Sequence, residues 1–209
     1  MIEPIQSGGD SEYETLSDSE AWKAFLDGNC DAFQYLFRTY YDDLYHYAVK
    51  FSGEPAVAED HIQKLFFKLW RRRDQLDEVE GVKTYLWTAL RRSMIDTHRR
   101  KKTEEKYLNK LEGTRDRMQF TAEELIIRHE RDAIQSTALK EAINQLTPKE
   151  REVLYLKFYE GMNYEEIEQI MSVSYQTSRN YVYRALQSLK AILTSEVALG
   201  VLLLGLLSF

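Results

Sequence analysis

The chain has 209 residues, of which 44% are hydrophobic and 12% aromatic, with only 9 Gly and 3 Pro. That excludes wholesale disorder and suffices for one large or two small packed domains; sparse Gly and Pro beside long 3.6-residue patterns predict an all-α fold. The net charge of −6 argues against a polyanion partner only until it is located: Glu3, Asp10, Glu12, Glu14, Asp18 and Glu20 stand among residues 1–20 without a single Lys or Arg, so the remainder is formally neutral.

Residues 1–17 read as an acidic, flexible tail that lacks the apolar run of a secretory signal. Asp18 or Ser19 can cap a helix through Leu26 that Gly28 stops. Phe33, Leu36/Phe37, Tyr40, Leu44, Tyr47/Ala48 and Phe51 follow helical spacing from Asp31 to Gly53. Cys30, the single cysteine, cannot form an internal disulfide and suits a small apolar position at that helix start in a reducing cytoplasm. Pro55 opens a third helix, Ala56 to about Arg73, with Ala58, Ile62, Leu65/Phe66 and Leu69/Trp70 on its buried stripe. Its opposite face carries Asp60, Lys64, Phe67 and Arg71, with Gln63 alongside. An aromatic on such a face suggests a protein partner, although one exposed aromatic is also ordinary.

The acidic stretch 74–81 is a loop. A fourth helix, Val82 to about Lys102, turns Leu86, Leu90 and Ile95 inward. From His61 to Lys102 twelve Lys/Arg face five Asp/Glu, a local excess that suits a polyanion. Arg91, Arg92, Arg99, Arg100, Lys101 and Lys102 can neutralise phosphates, and Tyr85 and Trp87 offer flat faces on which a displaced base can stack. Either aromatic alone could equally be core; their opposite orientations argue against both being buried.

Residues 103–122 read as a flexible linker. Helical periodicity resumes by Glu123 through Leu125, Ile126, Ala133 and Leu139. Thr147 with Pro148 and Glu150 forms a capping box, Gly161 ends that helix, Asn163 and Glu166 form a second box, and Ser174 can cap the helix that follows. Two short helices and a tight turn make a helix-turn-helix. On its last helix Val182, Ala185/Leu186 and Leu189 are predicted to pack on Ile167, Ile170 and Met171. Gln176, Thr177, Asn180, Tyr183 and Gln187 then face outward, flanked by Arg179 and Arg184. No acid lies between Ser172 and Leu193, and Arg, Gln and Asn match base edges best. Val197–Phe209 is thirteen residues without a charge, about 20 Å as a helix against the roughly 30 Å hydrocarbon core of a bilayer. It reads as an apolar tail (195–209) docking on this chain's own domains or on an inhibitory partner, with peripheral membrane attachment as the rival.

Catalysis finds no support. His46, His61, His98 and His129 lack metal-binding spacing, no phosphate-binding glycine loop or nucleophile elbow occurs, and Asp42-Asp43 and Glu165-Glu166 point apart on helices. No cofactor, metal or small-molecule substrate is expected.

The stretches DAFQYLFRTYYDDLYHYA, AEDHIQKLFFKLW, TYLWTALRRSMIDTHRR, LTPKEREVLYLKFYEG and NYEEIEQIMSVSYQTSRNYVYRALQSL, in this order and spacing, resemble the bacterial RNA polymerase sigma factors of the extracytoplasmic-function class, over roughly residues 20–193. The resemblance implies two small helical domains: 18–102 binding core polymerase and reading the −10 element, and 123–194 reading the −35 element. Asp60 and Gln63, matching the family's D-x-x-Q, would face the polymerase clamp together with Lys64 and Phe67. Loop 74–82 would receive a flipped base. Tyr85, Trp87, Arg91, Arg92, Arg99 and Arg100 on helix 82–102 would hold the opened strand, and Gln176, Thr177, Arg179, Asn180, Tyr183 and Arg184 would contact −35 DNA. The implied partners are RNA polymerase core, promoter DNA and a membrane-bound anti-sigma factor, which would leave the protein cytoplasmic or held at the inner membrane through that partner or the tail. Lys64 stands where an acid is usual, Arg92 where Asn is usual, Glu168 where a small Ala is usual, Ser172 where the turn's Gly is usual, and Ser178 where an aliphatic residue is usual. A repressor or activator that binds operators as a dimer, without core polymerase, would explain residues 146–190 and leave the first domain without a role.

Overall fold

The computed structural model describes residues 17–108, 139 and 141–206, with side chains described over 17–100, 103, 139 and 141–194. The acidic tail before Ser17, the linker beyond Leu108, the periodicity from Glu123 to residue 138 and the side chains of 197–209 lie outside this description. The chain divides into two units, Met1–Arg115 and Asp116–Phe209, and all regular structure among the described residues is helical.

The first unit contains α1 (Asp18–Leu26), α2 (Cys30–Ser52), α3 (Pro55–Arg72), a 3₁₀ turn (Arg73–Gln75) and α4 (Val82–Leu108). The cap of α1 is Ser17, one residue before the predicted Asp18. The Ser17 hydroxyl accepts the Glu20 N–H at 3.4 Å, and the Glu20 carboxylate accepts the Ser17 N–H at 2.8 Å. The Ser17 hydroxyl also donates to that carboxylate at 2.7 Å, and this bond, followed by the one from the Ser17 N–H, holds the Glu20 carboxyl below its ordinary pKa. Asp18 is otherwise engaged, because its carboxylate accepts the Tyr40 hydroxyl. Asn29 caps α2 by accepting the N–H groups of Asp31 and Ala32 at 2.9 and 3.0 Å, and Gly53, at φ +72°, ends it. α4 runs past its expected end near Lys102, because no Gly or Pro interrupts Val82–Leu108.

α2 packs on α3 most extensively, and α4 packs on both. The predicted stripe of α3 is buried at Ala58, Ile62, Leu65, Phe66 and Leu69, with Trp70 half-buried. Rings fill the space between helices: Phe33 lies 5.0 Å from Trp70 and 5.6 Å from Phe25, and Phe37 lies 4.8 Å from Phe66. Such ring pairs each add about 0.5–1.5 kcal/mol beyond area burial. A polar link joins α3 to α4, where buried His61 sets Nδ1 3.0 Å from the Ser93 hydroxyl.

In the second unit residues 141–145 are helical. Then come α5 (Pro148–Leu154), α6 (Tyr164–Met171) and α7 (Tyr175–Leu206). α5 passes into a π turn at Tyr155–Tyr159, where the Glu160 N–H donates to the Tyr155 carbonyl at 3.1 Å. Gly161, at φ +70°, then breaks the chain out of the helix. Both predicted boxes form. Thr147 Oγ1 accepts from the Glu150 N–H at 3.4 Å while the Glu150 carboxylate accepts the Thr147 N–H at 2.9 Å. Asn163 and Glu166 exchange the same bonds at 2.8 and 2.7 Å. Leu146, Leu154 and Ala185 form one core cluster against which Leu189 packs.

Candidate nucleic-acid and polymerase interfaces

The turn between α6 and α7 is made by Ser172, at φ +53° and ψ +50°, the only non-glycine positive φ among the described residues. A side chain there costs roughly 1 kcal/mol relative to glycine, since Cβ crowds the following carbonyl. Ser174 Oγ accepts the Thr177 N–H at 3.2 Å and lies 2.8 Å from the Thr177 hydroxyl, so Thr177 is half-buried in the cap. Ser178 is fully buried and donates its hydroxyl to the Tyr175 carbonyl at 2.7 Å. This local bond is what makes a hydroxyl tolerable at a core position.

The inward face of α7 steps through Ser178, Val182, Ala185 and Leu189. Leu186, predicted to be core, is 45% exposed, because Ala185 rather than Leu186 occupies the line of closest approach. The outward face holds Gln176, Arg179, Asn180, Tyr183 and Arg184, all exposed. Gln176 Nε2 donates to Asn180 Oδ1 at 3.3 Å, which orients two amides on one turn. The Arg179 guanidinium lies 5.9 Å from the Tyr175 ring. Helix α7 thus offers a cationic and amide surface on a helix braced from behind, suited to phosphates and base edges.

In the first unit the predicted strand-binding set divides. Trp87 is 0% exposed, its ring 6.1 Å from Tyr40, and cannot receive a base. Arg91 is buried with its guanidinium 5.9 Å from the Phe51 ring. The reason is helical phase: Trp87, Arg91 and Met94, at i, i+4 and i+7, share the inner face. The outer stripe is Tyr85, Arg92 and Arg99, seven residues apart, with Arg100 beside it. Tyr85 is half-buried and Arg92, Arg99 and Arg100 are exposed. Burial raises the pKa of the Tyr85 hydroxyl, so it stays a neutral donor.

Before α4 the loop 76–81 is tied from a helix that sequence patterns did not connect to it. Trp22 of α1 donates its indole N–H to the Asp77 carbonyl at 3.1 Å, and Lys23 lies 3.4 Å from the Glu78 carboxylate. At the loop's start Arg73 donates to the Trp70 carbonyl at 2.8 Å and lies 4.6 Å from the Trp70 ring. Trp22, His61 and Arg73 carried no sequence signal beyond residue type, because their partners lie on other elements or turns.

On α3, Asp60, Gln63, Lys64, Phe67 and Arg71 are all exposed, opposite the buried stripe as expected. Lys64 Nζ meets the Asp60 carboxylate one turn away at 2.5 Å, so the unusual cation partly neutralises the acid beside it. Phe67 is 64% exposed. Among the described residues no group of three or more His, Cys, Asp or Glu could hold a metal ion, and no helix is long and apolar enough to cross a membrane.

Two family models match in the order these surfaces occur: sigma-70 region 2 over residues 36–104 and sigma-70 region 4 over residues 136–189. The chain is 26% identical over 159 residues to the extracytoplasmic-function sigma factor SigM of Bacillus subtilis, covering 75% of this chain and 92% of that protein. It is 23% identical over 163 residues to SigL of Mycobacterium tuberculosis, covering 76% and 89%. Among solved structures, CnrH in complex with the cytosolic domain of CnrY superposes with a TM-score of 0.58 at 20% identity, over 85% of this chain and 97% of that one. RpoE from Bartonella quintana, in complex with the anti-sigma factor NepR, superposes with a TM-score of 0.56 at 22% identity, over 78% and 96%. The chain belongs to the sigma-70 family, in its extracytoplasmic-function class. Its function is promoter-specific initiation with RNA polymerase, and a repressor built on residues 146–190 alone would leave the region 2 match without a role.

Proposed function

We propose that residues 18–102 bind the polymerase core and read the −10 element, and that residues 123–194 read the −35 element. The observation that carries this reading is the two-faced character of α3 and α4. Each buries one stripe in the first unit and turns a chemically distinct stripe outward: Asp60, Gln63, Lys64 and Phe67 on α3; Tyr85, Arg92, Arg99 and Arg100 on α4. The α3 stripe, with an exposed aromatic at its centre, docks on core. On the α4 stripe Tyr85 stacks a base of the opened strand and the three arginines neutralise its phosphates, while loop 74–82 takes up a flipped base. Trp87 and Arg91 lie on the buried face of α4 and belong to the core. On α7 the Gln176–Asn180 amide pair addresses base edges, Arg179 and Arg184 contact phosphates or guanine, Tyr183 widens the contact, and Thr177 holds the helix start. Bond formation is left to the core enzyme.

The complexes in which CnrH and the Bartonella factor were solved support an anti-sigma protein as this chain's inhibitory partner. We place that partner at the membrane, where it would hold a cytoplasmic factor inactive, with Val197–Phe209 as a docking segment. Run-off transcription tests the central reading: purified core polymerase with this protein is expected to start RNA at defined sites on fragments of its own genome. Failure to direct any start, or failure to co-purify with core in the absence of DNA, would overturn it. Deleting residues 197–209 is expected to weaken inhibitor binding; unchanged inhibitor binding, solubility and fractionation would remove the docking role.

A further inference from the structure

The first unit buries two tryptophans, and they differ in what their N–H groups meet. Trp87 is 0% exposed and its Nε1 finds no acceptor among the described residues, so its contribution is packing. Trp22 is as deeply buried, yet its indole N–H reaches the Asp77 carbonyl at 3.1 Å, across 55 residues of sequence. The same ring packs edge-on against Tyr85 at 5.1 Å. One side chain therefore touches both the backbone of the loop and the first aromatic of the α4 stripe. Lys23, next along α1, adds an exposed ion pair to Glu78 at 3.4 Å. In the loop Leu76 and Val79 are half-buried while Asp77, Glu78 and Glu80 are exposed. Without the bond at Asp77 the middle of the segment between Gln75 and Gly81 would be left with the exposed Lys23–Glu78 pair and the half-buried Leu76 and Val79.

We infer that Trp22 is a positioning residue for −10 recognition, its indole N–H fixing the loop at Asp77 relative to Tyr85, so that the flipped base and the stacked base are read in one fixed geometry. Helix α1 lies before residue 36, where the region 2 match begins, so nothing in that match accounts for it. Packing alone does not account for the indole either: a phenyl ring fills much of the same space but has no donor. The Asp77 carbonyl, released at an exposed residue, can turn to water, so the lost bond loosens the loop rather than unfolding the unit. The inference rests on loop 74–82 being the base-receiving loop.

The test uses the full chain with core polymerase on a promoter whose start has been mapped by run-off transcription, and on derivatives carrying each other base in its opened −10 segment. The readout is the ratio of transcription from the parent to transcription from each derivative. Trp22→Phe is expected to lower that discrimination by about threefold to tenfold, the range of one hydrogen bond, with core affinity and −35 duplex binding unchanged. Trp87→Phe, which removes an N–H without an acceptor, is expected to leave the ratio intact even where it lowers the melting temperature. Should Trp22→Phe fold poorly, 3-benzothienylalanine at position 22 keeps the bicycle and removes only the donor, with the same loss expected. Discrimination that survives both Trp22 replacements, or falls equally in Trp87→Phe, overturns the assignment. A third variant separates the two layers. If Glu80→Ala shifts base preference while Trp22→Phe does not, the loop reading stands and the role of Trp22 falls. If neither shifts it, the loop reading fails and takes the inference with it.

Discussion

In the unit around Trp22 and Trp87 the outward-facing residues are set by side chains far apart in sequence: Trp22 on the Asp77 carbonyl, His61 on Ser93, Phe33 between Phe25 and Trp70. In the unit around α7 the comparable work is done within three or four residues, by the Thr147–Glu150 and Asn163–Glu166 boxes, the Ser174 cap and the Ser178 bond to Tyr175. The first recognition surface thus depends on bonds and rings that join distant elements, and the second on local caps set over the core of Leu146, Leu154 and Ala185. The difference tells which substitutions should act at a distance. In the first unit a change at Trp22, which touches both the loop and Tyr85, is expected to reach the strand-binding face, whereas in the second the exposed face of α7 is more separable from stability.

The sharpest way to break that contrast is Trp87→Ala. As a fully buried ring it is expected to cost about 3–5 kcal/mol in urea unfolding of the first unit, where a stacking residue would cost little stability and much DNA binding. Arg179→Ala on α7 is the converse. It should leave stability within about 0.5 kcal/mol and weaken binding to −35 duplex by about 1–3 kcal/mol, with the salt slope reduced by about 1. Unchanged salt dependence would remove Arg179 from the interface. Next, Phe67→Ala should weaken core polymerase affinity by about 1–2 kcal/mol in a competition assay with no loss of melting temperature, as its 64% exposure requires. A fall in stability instead would make the ring structural.

Smaller effects separate the two styles of construction. Ser172→Gly is expected to raise the stability of the second unit by about 0.5–1 kcal/mol, by relieving a side chain held at φ +53°; a decrease on chemical denaturation would mean the serine makes a compensating contact. The smallest effect concerns Glu20. Its folded pKa is lowered by the Ser17 bonds, so its contribution is complete above the ordinary value of 4.5 and is lost as pH falls through the folded value. The advantage of wild type over Glu20→Gln should therefore shrink on acidification, and an advantage independent of pH would remove the charged cap as its source.

Much of this was written locally. Helical periodicity set the buried stripe of α3 and hence its exposed opposite face, and Ser, Thr, Asn, Pro and Gly at the right offsets marked the helix ends of the second unit. These features depend on neighbours within one turn, so residue type and spacing suffice to read them. The departures from the family pattern were legible too, but not their outcome. That Ser172 would take a positive φ, that Ser178 would satisfy its hydroxyl on Tyr175, and that Lys64 would pair with Asp60 depend on geometry that spacing only permits.

What tertiary structure alone decided is which aromatic and which arginine of α4 belong to the core. Trp87 and Arg91 have the composition of a strand-binding surface; helical phase sets them on one face of α4, and that this face is the inner one follows from where α2 presents Tyr40 and Phe51. The same holds for Trp22, whose acceptor lies 55 residues on. Sequence determined an all-helical chain with the capped elements of a sigma factor, because those signals are short-range. The choice between a stacking surface and a packed interior was made by contacts between helices, because burial belongs to the assembled unit and not to any one of its helices.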